Sequence, residues 1–159
     1  MPMTRENEEL PPTDGFKPLI GDEIGFSGLS GPHYVKLVDG FPILAFRVAR
    51  RHLNPMGVCH GGALAAFADY QAVAVRFIAG LAVHIPTITL SIDFIAPVQL
   101  GAWVELHSRL LRRTGTMLFS EGNLIVDGIV VARVDAIFKI GKAVPEFDRN
   151  FPAGGLSAL

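Results

Sequence analysis

The chain has 159 residues, half of them hydrophobic and 18% charged, with a formal net charge of −1 and a mean hydropathy of +0.39. That length is one domain's worth with room for a substantial core, and so much apolar surface on so short a chain predicts that some of it is buried between subunits. The balanced charge, with no long basic run, gives no footprint for nucleic acid, and the single cysteine, Cys59, excludes an intrachain disulfide and suits a cytoplasmic protein.

In chain order, Met1 to Asp14 is polar and proline-bearing and is expected to be a disordered lead. The lead belongs to an N-terminal extension, residues 1–32. Within it, Phe16 to Pro32 scatters Leu19, Ile20, Ile24, Phe26 and Leu29 among glycines, which allows a short helix or an ordered arm over the domain. A main domain is expected over 33–142. It opens with a hairpin: Tyr34 to Val38, a turn at Asp39-Gly40, then Ile43 to Ala49. The apolar run Gly61 to Ala79 reads as one helix. The apolar run Gly61 to Ala82 is nearly long enough to cross a membrane, but it carries Asp69, Gln71 and Arg76, and ionised groups at that depth are expensive, so a buried core helix fits better.

Beyond Pro86, Ile88, Leu90, Ile92 and Phe94 alternate with Thr87, Thr89, Ser91 and Asp93, the period of a strand. Val104, Leu106 and Leu110 oppose Glu105, His107 and Arg109 in the next strand. Thr116 to Val126 and Ile129 to Ile140 follow, joined at Asp127-Gly128, a strong hairpin signal. Residues 143–159, with Pro145, Pro152 and Gly154-Gly155, are expected to trail over the surface. Two strands, one apolar helix and four strands predict an α+β domain in which an antiparallel sheet wraps around a central helix.

The chemistry concentrates at the start of that helix. Asp69 has Ala65, Ala66, Ala72 and Val73 as its neighbours three and four residues away, all apolar. An ionised carboxylate buried without partners costs several kcal/mol or more, so Asp69 must be paired, be protonated or face a ligand cleft. The helix opens on His60-Gly61-Gly62. Its first N–H groups have no internal partner, and two residues without Cβ let a substrate oxygen approach them, so this mouth can serve as an oxyanion hole. Oxyanion donors with a base or nucleophile two helical turns away suggest acyl-group chemistry. The plainer alternative is a glycine-rich helix start and an Asp that meets a partner across an interface. Asn54 beside both features shifts the balance toward a site.

The pattern Asn54-x-x-Gly57-x-x-His60-Gly61-Gly62, followed by Asp69, resembles the signature of hotdog-fold acyl-CoA thioesterases of the phenylacetate-pathway (PaaI) type. The resemblance extends to the hydroxyl-led strand from Thr87 to Pro97 and to the turn at Arg112-Arg113-Thr114-Gly115-Thr116, covering about Tyr34 to Ile140. It implies a hotdog fold and hydrolysis of acyl-CoA thioesters, with Asp69 as general base or nucleophile, the Gly61 N–H as oxyanion donor, and Asn54 orienting the thioester or the water. His60 belongs to the same motif, with bracing of the helix start preferred over direct catalysis. Gly57, Gly62, Thr87, Arg112 and Arg113 are the candidate substrate contacts, the arginines because guanidinium matches phosphate. The resemblance also implies sites shared across a homodimer, or a dimer of dimers.

No cofactor is expected, since CoA is part of the substrate. The scattered histidines give no metal-ligand spacing, and Cys59 has no base beside it and reads as packing. The alternatives are a non-catalytic acyl-CoA-binding domain, a hotdog hydratase or dehydratase, which lacks an acid at the familiar spacing here, and a purely structural interaction protein.

Overall fold

A computed structural model describes residues 14–19 and 24–143. The polar lead before Asp14 and the tail after residue 143 lie outside the described residues. The elements are β1 (Lys17–Pro18), α1 (Gly25–Ser30), β2 (His33–Val38), β3 (Phe41–Arg47), a 3₁₀ turn (Arg50–His52), α2 (Gly61–Ala68), α3 (Gln71–Ile78), β4 (Thr87–Phe94), β5 (Trp103–Arg113), β6 (Met117–Val126) and β7 (Ile129–Lys139). The stretch Phe16 to Pro32 thus yields both a two-residue strand and a short helix.

All strands join one sheet in the order β1-β2-β3-β5-β6-β7-β4, with antiparallel pairing throughout. Two tight hairpins set the register. Asp39 and Gly40 close β2 onto β3, Asp127 and Gly128 close β6 onto β7, and each pair has positive φ at both positions, the backbone that two-residue hairpin turns require. Because β3 and β4 lie far apart in the sheet, the helical segment between them must cross its concave face. One core forms where Leu64, Phe67 and Ala68 of α2 meet Leu44, Phe46, Val104, Leu106 and Leu124. A second forms where Val75 of α3 meets Leu118, Ala136, Phe138 and Ile85. Each such side chain contributes about 1.5–3 kcal/mol by leaving water. This is the hotdog arrangement, an α+β fold.

The expected continuous helix Gly61 to Ala79 is interrupted. Asp69 and Tyr70 stay in the right-handed helical region, but the hydrogen bonds tighten: Tyr70 N–H donates to Phe67 O, Ala72 N–H to Asp69 O and Val73 N–H to Tyr70 O. Such 3₁₀ pairing splits α2 from α3. Beside the break, the fully buried Gln71 turns into the sheet, where Ser120 Oγ donates to its Oε1 at 2.9 Å. Gly122 makes the room, since a Cβ there would stand 2.9 Å from His107 O and 3.3 Å from Gln71 Cδ. Asp69 therefore sits at the end of α2, half-buried, and not in a helix interior.

The faces of β4 also differ from a simple alternation. Leu90 and Ile92 pack on the core, while Ile88 (51% exposed) and Phe94 (54%) project at its two ends.

Candidate active site

The Asp69 carboxylate, at the junction of α2 and α3, is met by Thr87 at the start of β4, whose Oγ1 donates to Asp69 Oδ1 at 2.6 Å. One carboxylate oxygen is thereby oriented, and the other has no hydrogen bond among the described residues. Thr87, expected as a substrate contact, is the partner of the acid itself.

The other half of the site forms at the mouth of α2. His60 is its N-cap: the ring Nδ1 accepts from Gly62 N–H at 2.8 Å. Of the two glycine amides, that of Gly62 is consumed by this cap, while that of Gly61 makes no hydrogen bond among the described residues. The Gly61 amide is thus the one of the two left open at the helix mouth. Each glycine has a packing reason that composition could not show. A Cβ on Gly61 would lie 3.2 Å from the Phe94 ring, and one on Gly62 would lie 2.9 Å from His60 Nδ1.

Asn54 organises the loop ahead of this helix. Its Oδ1 accepts from Met56 N–H at 2.9 Å and Val58 N–H at 3.4 Å, and its backbone pairs with Val58 and Gly57. Gly57, at φ +79°, makes the turn. An Asx-type turn of this kind commits the carbonyl end of the carboxamide and leaves its NH₂ as a donor.

Beside Gly61 opens an apolar cavity of about 280 Å³, lined by Cys59, Leu64, Phe94 and the run Ile95 to Val98. Burial pushes the Cys59 thiol up to about 11. It stays protonated at neutral pH and is a wall of the cavity, with no thiolate available as nucleophile.

The structure does not bring all the candidate residues together within one chain. Eight positions separate Gly61 from Asp69, about 12 Å at the helical rise, so one chain's carboxylate cannot reach a carbonyl bound at its own Gly61. Arg113 donates to Ala79 O at 2.8 Å, capping the far end of α3, and Arg112 stands exposed beside a bulge in β5. Among the described residues, no group of three His, Cys, Asp or Glu side chains is placed to hold a metal ion, and no helix is long and apolar enough to cross a membrane.

Residues 56–132 match the family model described as the thioesterase superfamily. Among individual proteins, the chain is 27% identical over 129 residues to a Pseudomonas aeruginosa protein whose name proposes an esterase, covering 80% of this chain and 96% of that one. A phenylacetic acid degradation-related protein of Ralstonia eutropha JMP134, named as a candidate thioesterase, is 29% identical with a TM-score of 0.64, over 72% of this chain and 89% of that one. A point mutant of the phenylacetic acid degradation protein PaaI from Thermus thermophilus shares the fold at a TM-score of 0.62 and 23% identity, over 73% of this chain and 98% of that one. A hypothetical thioesterase of Streptococcus pneumoniae, solved with coenzyme A, shares it at 0.61 and 20% identity, over 70% and 91%.

Proposed function

We propose that the protein hydrolyses acyl-CoA thioesters as a homodimer whose sites are each shared by two subunits, Asp69 of one facing Gly61 and Asn54 of the other. The observation that carries this reading is the split site. The oriented acid Asp69–Thr87 marks one end of β4, and the free Gly61 amide under Phe94 marks the other. Because β4 is the last strand of the sheet, it can pair antiparallel with its own copy. A two-fold axis at Leu90 or Ser91 then sets the Thr87 end of one strand against the Phe94 end of the other, and each Asp69 approaches the opposite Gly61.

In this arrangement the thioester carbonyl oxygen accepts from Gly61 N–H, and the Asn54 NH₂ orients the ester or the lytic water. Asp69 takes the proton of that water as it attacks the carbonyl carbon. The tetrahedral oxyanion rests on Gly61, then collapses, breaking the carbon–sulfur bond and releasing CoA thiol and the free acid. Direct attack by Asp69, through a transient anhydride, uses the same geometry. Heavy oxygen found in Asp69 after a single turnover in labelled water would identify the anhydride route with water attacking the Asp69 carboxyl carbon, since the general-base route places the label in the product acid alone. Arg112, whose guanidinium has no partner among the described residues, is the member of its pair left to meet a CoA phosphate.

The test is thiol release from a panel of acyl-CoAs, from acetyl through medium-chain to phenylacetyl and benzoyl. Native protein should turn over at least one member, and Asp69→Ala and Asn54→Ala should lower kcat by roughly 1000-fold and 100-fold, the scale of losing a base or a positioned donor. CoA binding without turnover anywhere in the panel would point instead to a non-catalytic acyl-CoA-binding domain.

A further inference from the structure

The mouth of α2 is flanked by two mainly apolar cavities, of which the second also carries the side chains of Arg51 and His60. The one beside Gly61 is walled by apolar side chains. The other, about 320 Å³, lies under the N-terminal arm, between Phe26, Leu29 and Ser30 of α1 on one side and Arg51, His60 and Gly62 on the other. The arm is tied down over it. His52 Nδ1 accepts from Ala49 N–H, so the ring carries its proton on Nε2 and donates it to Ser30 O at 2.7 Å, while Arg51 donates to Gly31 O.

The lining of this second cavity has a specific chemistry. Because His60 Nδ1 accepts from Gly62 N–H, the neutral ring presents an outward Nε2–H donor. Arg51 adds a guanidinium, which has donors only. Opposite them stand Phe26, 69% exposed, and Leu29, 73% exposed, three residues apart on α1 and therefore on one face. Donors facing an apolar wall fit an extended chain that alternates methylenes with carbonyl acceptors.

We propose that this cavity binds the pantetheine arm of the thioester, with its amide carbonyls on His60 and Arg51 and its methylenes against Phe26 and Leu29, so that the acyl group enters the apolar cavity on the other side of Gly61. The proposal rests on the hydrolase reading and gives the substrate a direction across the helix mouth. It makes Phe26 and Leu29 specificity residues for the carrier, not for the acyl group.

The test compares one acyl group on three thiols: CoA, pantetheine, which lacks the nucleotide, and N-acetylcysteamine, which lacks the distal pantetheine as well. In the native protein kcat/KM should hold from CoA to pantetheine within a few-fold and drop by about tenfold or more at N-acetylcysteamine, the scale of losing buried methylenes and a hydrogen bond. Phe26→Ala with Leu29→Ala should shrink that drop to the few-fold owed to the hydrogen bond, acting through KM on the first two substrates and leaving the third within twofold. Both side chains are exposed, so the variant should melt as the native protein does.

Equal losses on all three thiols would make the arm a structural cover and overturn the proposal, as would a native preference that depends only on the nucleotide. Calorimetry with CoA separates the two readings. If no thioester turns over but the variant binds CoA about tenfold more weakly, the cavity assignment stands and hydrolysis fails. If turnover occurs and the variant leaves both CoA binding and carrier preference untouched, hydrolysis stands and the assignment fails.

Discussion

At one margin of the sheet, the outer side of β2 is paired by the two-residue β1, in which Lys17 meets Val35 and Pro18 meets Tyr34; at the other, β4 presents eight residues with no strand beyond them among the described residues. The covered margin ends in a proline, which has no N–H to offer a further strand, and is anchored by the buried Phe16 and Leu19. The open margin carries Ile88 and Phe94 exposed at its ends and Ile95 just past them. A long, flat edge with apolar ends is a template for pairing, which proteins blunt unless they use it. In the proposed dimer β4 is the edge that meets a second copy of the chain, and both halves of the candidate site lie along that same strand.

The contrast breaks if the two margins tolerate the same insult. Ile88→Lys should split the dimer in light scattering and lower turnover by about 100-fold or more, because it removes the opposing half of each site. Lys17→Ala on the covered margin should leave the mass unchanged and turnover within twofold of native. A smaller effect sharpens the role of the Thr87 end of β4. Thr87→Val removes the hydrogen bond to Asp69 and should lower kcat about tenfold, consistent with one bond to a charged group, with KM little changed in steady-state assays.

At the Phe94 end, Gly62→Ala pushes on the His60 ring and should loosen the α2 cap. An N-cap is worth ~1 kcal/mol, so calorimetry should register a fall in Tm of about 3 °C.

A pH-dependent effect concerns Cys59. Its folded-state thiol, raised from 9.0 to about 11, contributes stability that is complete below pH 9 and fades as pH rises toward 11, because the unfolded chain ionises first. Native Tm should therefore decline across that window more steeply than that of Cys59→Ala.

The strands and both hairpins were legible because their signals are local: a two-residue period, and Asp-Gly pairs at 39–40 and 127–128 that suit two positive φ angles. The break after α2 was not: it falls beside Gln71, whose side-chain partner Ser120 lies 49 positions away in the sequence. In the site, Asp69 and the His-Gly-Gly mouth stood out as a carboxylate in an apolar run and as a helix start. The bracing of the helix start by the His60 ring was also expected; what the residues alone did not show was the Thr87–Asp69 pairing and the cavity beneath α1, which needs residues 26–30 packed against 51–62. Each is a contact between segments that no periodicity links.

The shared site is tested most directly by mixing two inactive dimers. Asp69→Ala and Asn54→Ala spoil opposite halves of each site, so exchange of subunits should create mixed dimers with one native site and one doubly altered site. The account predicts that the mixture regains activity toward about a quarter of native, the statistical yield for a two-fold dimer with both halves on different chains. A mixture that exchanges subunits, as shown by mass, yet stays as inactive as its parents would contradict it.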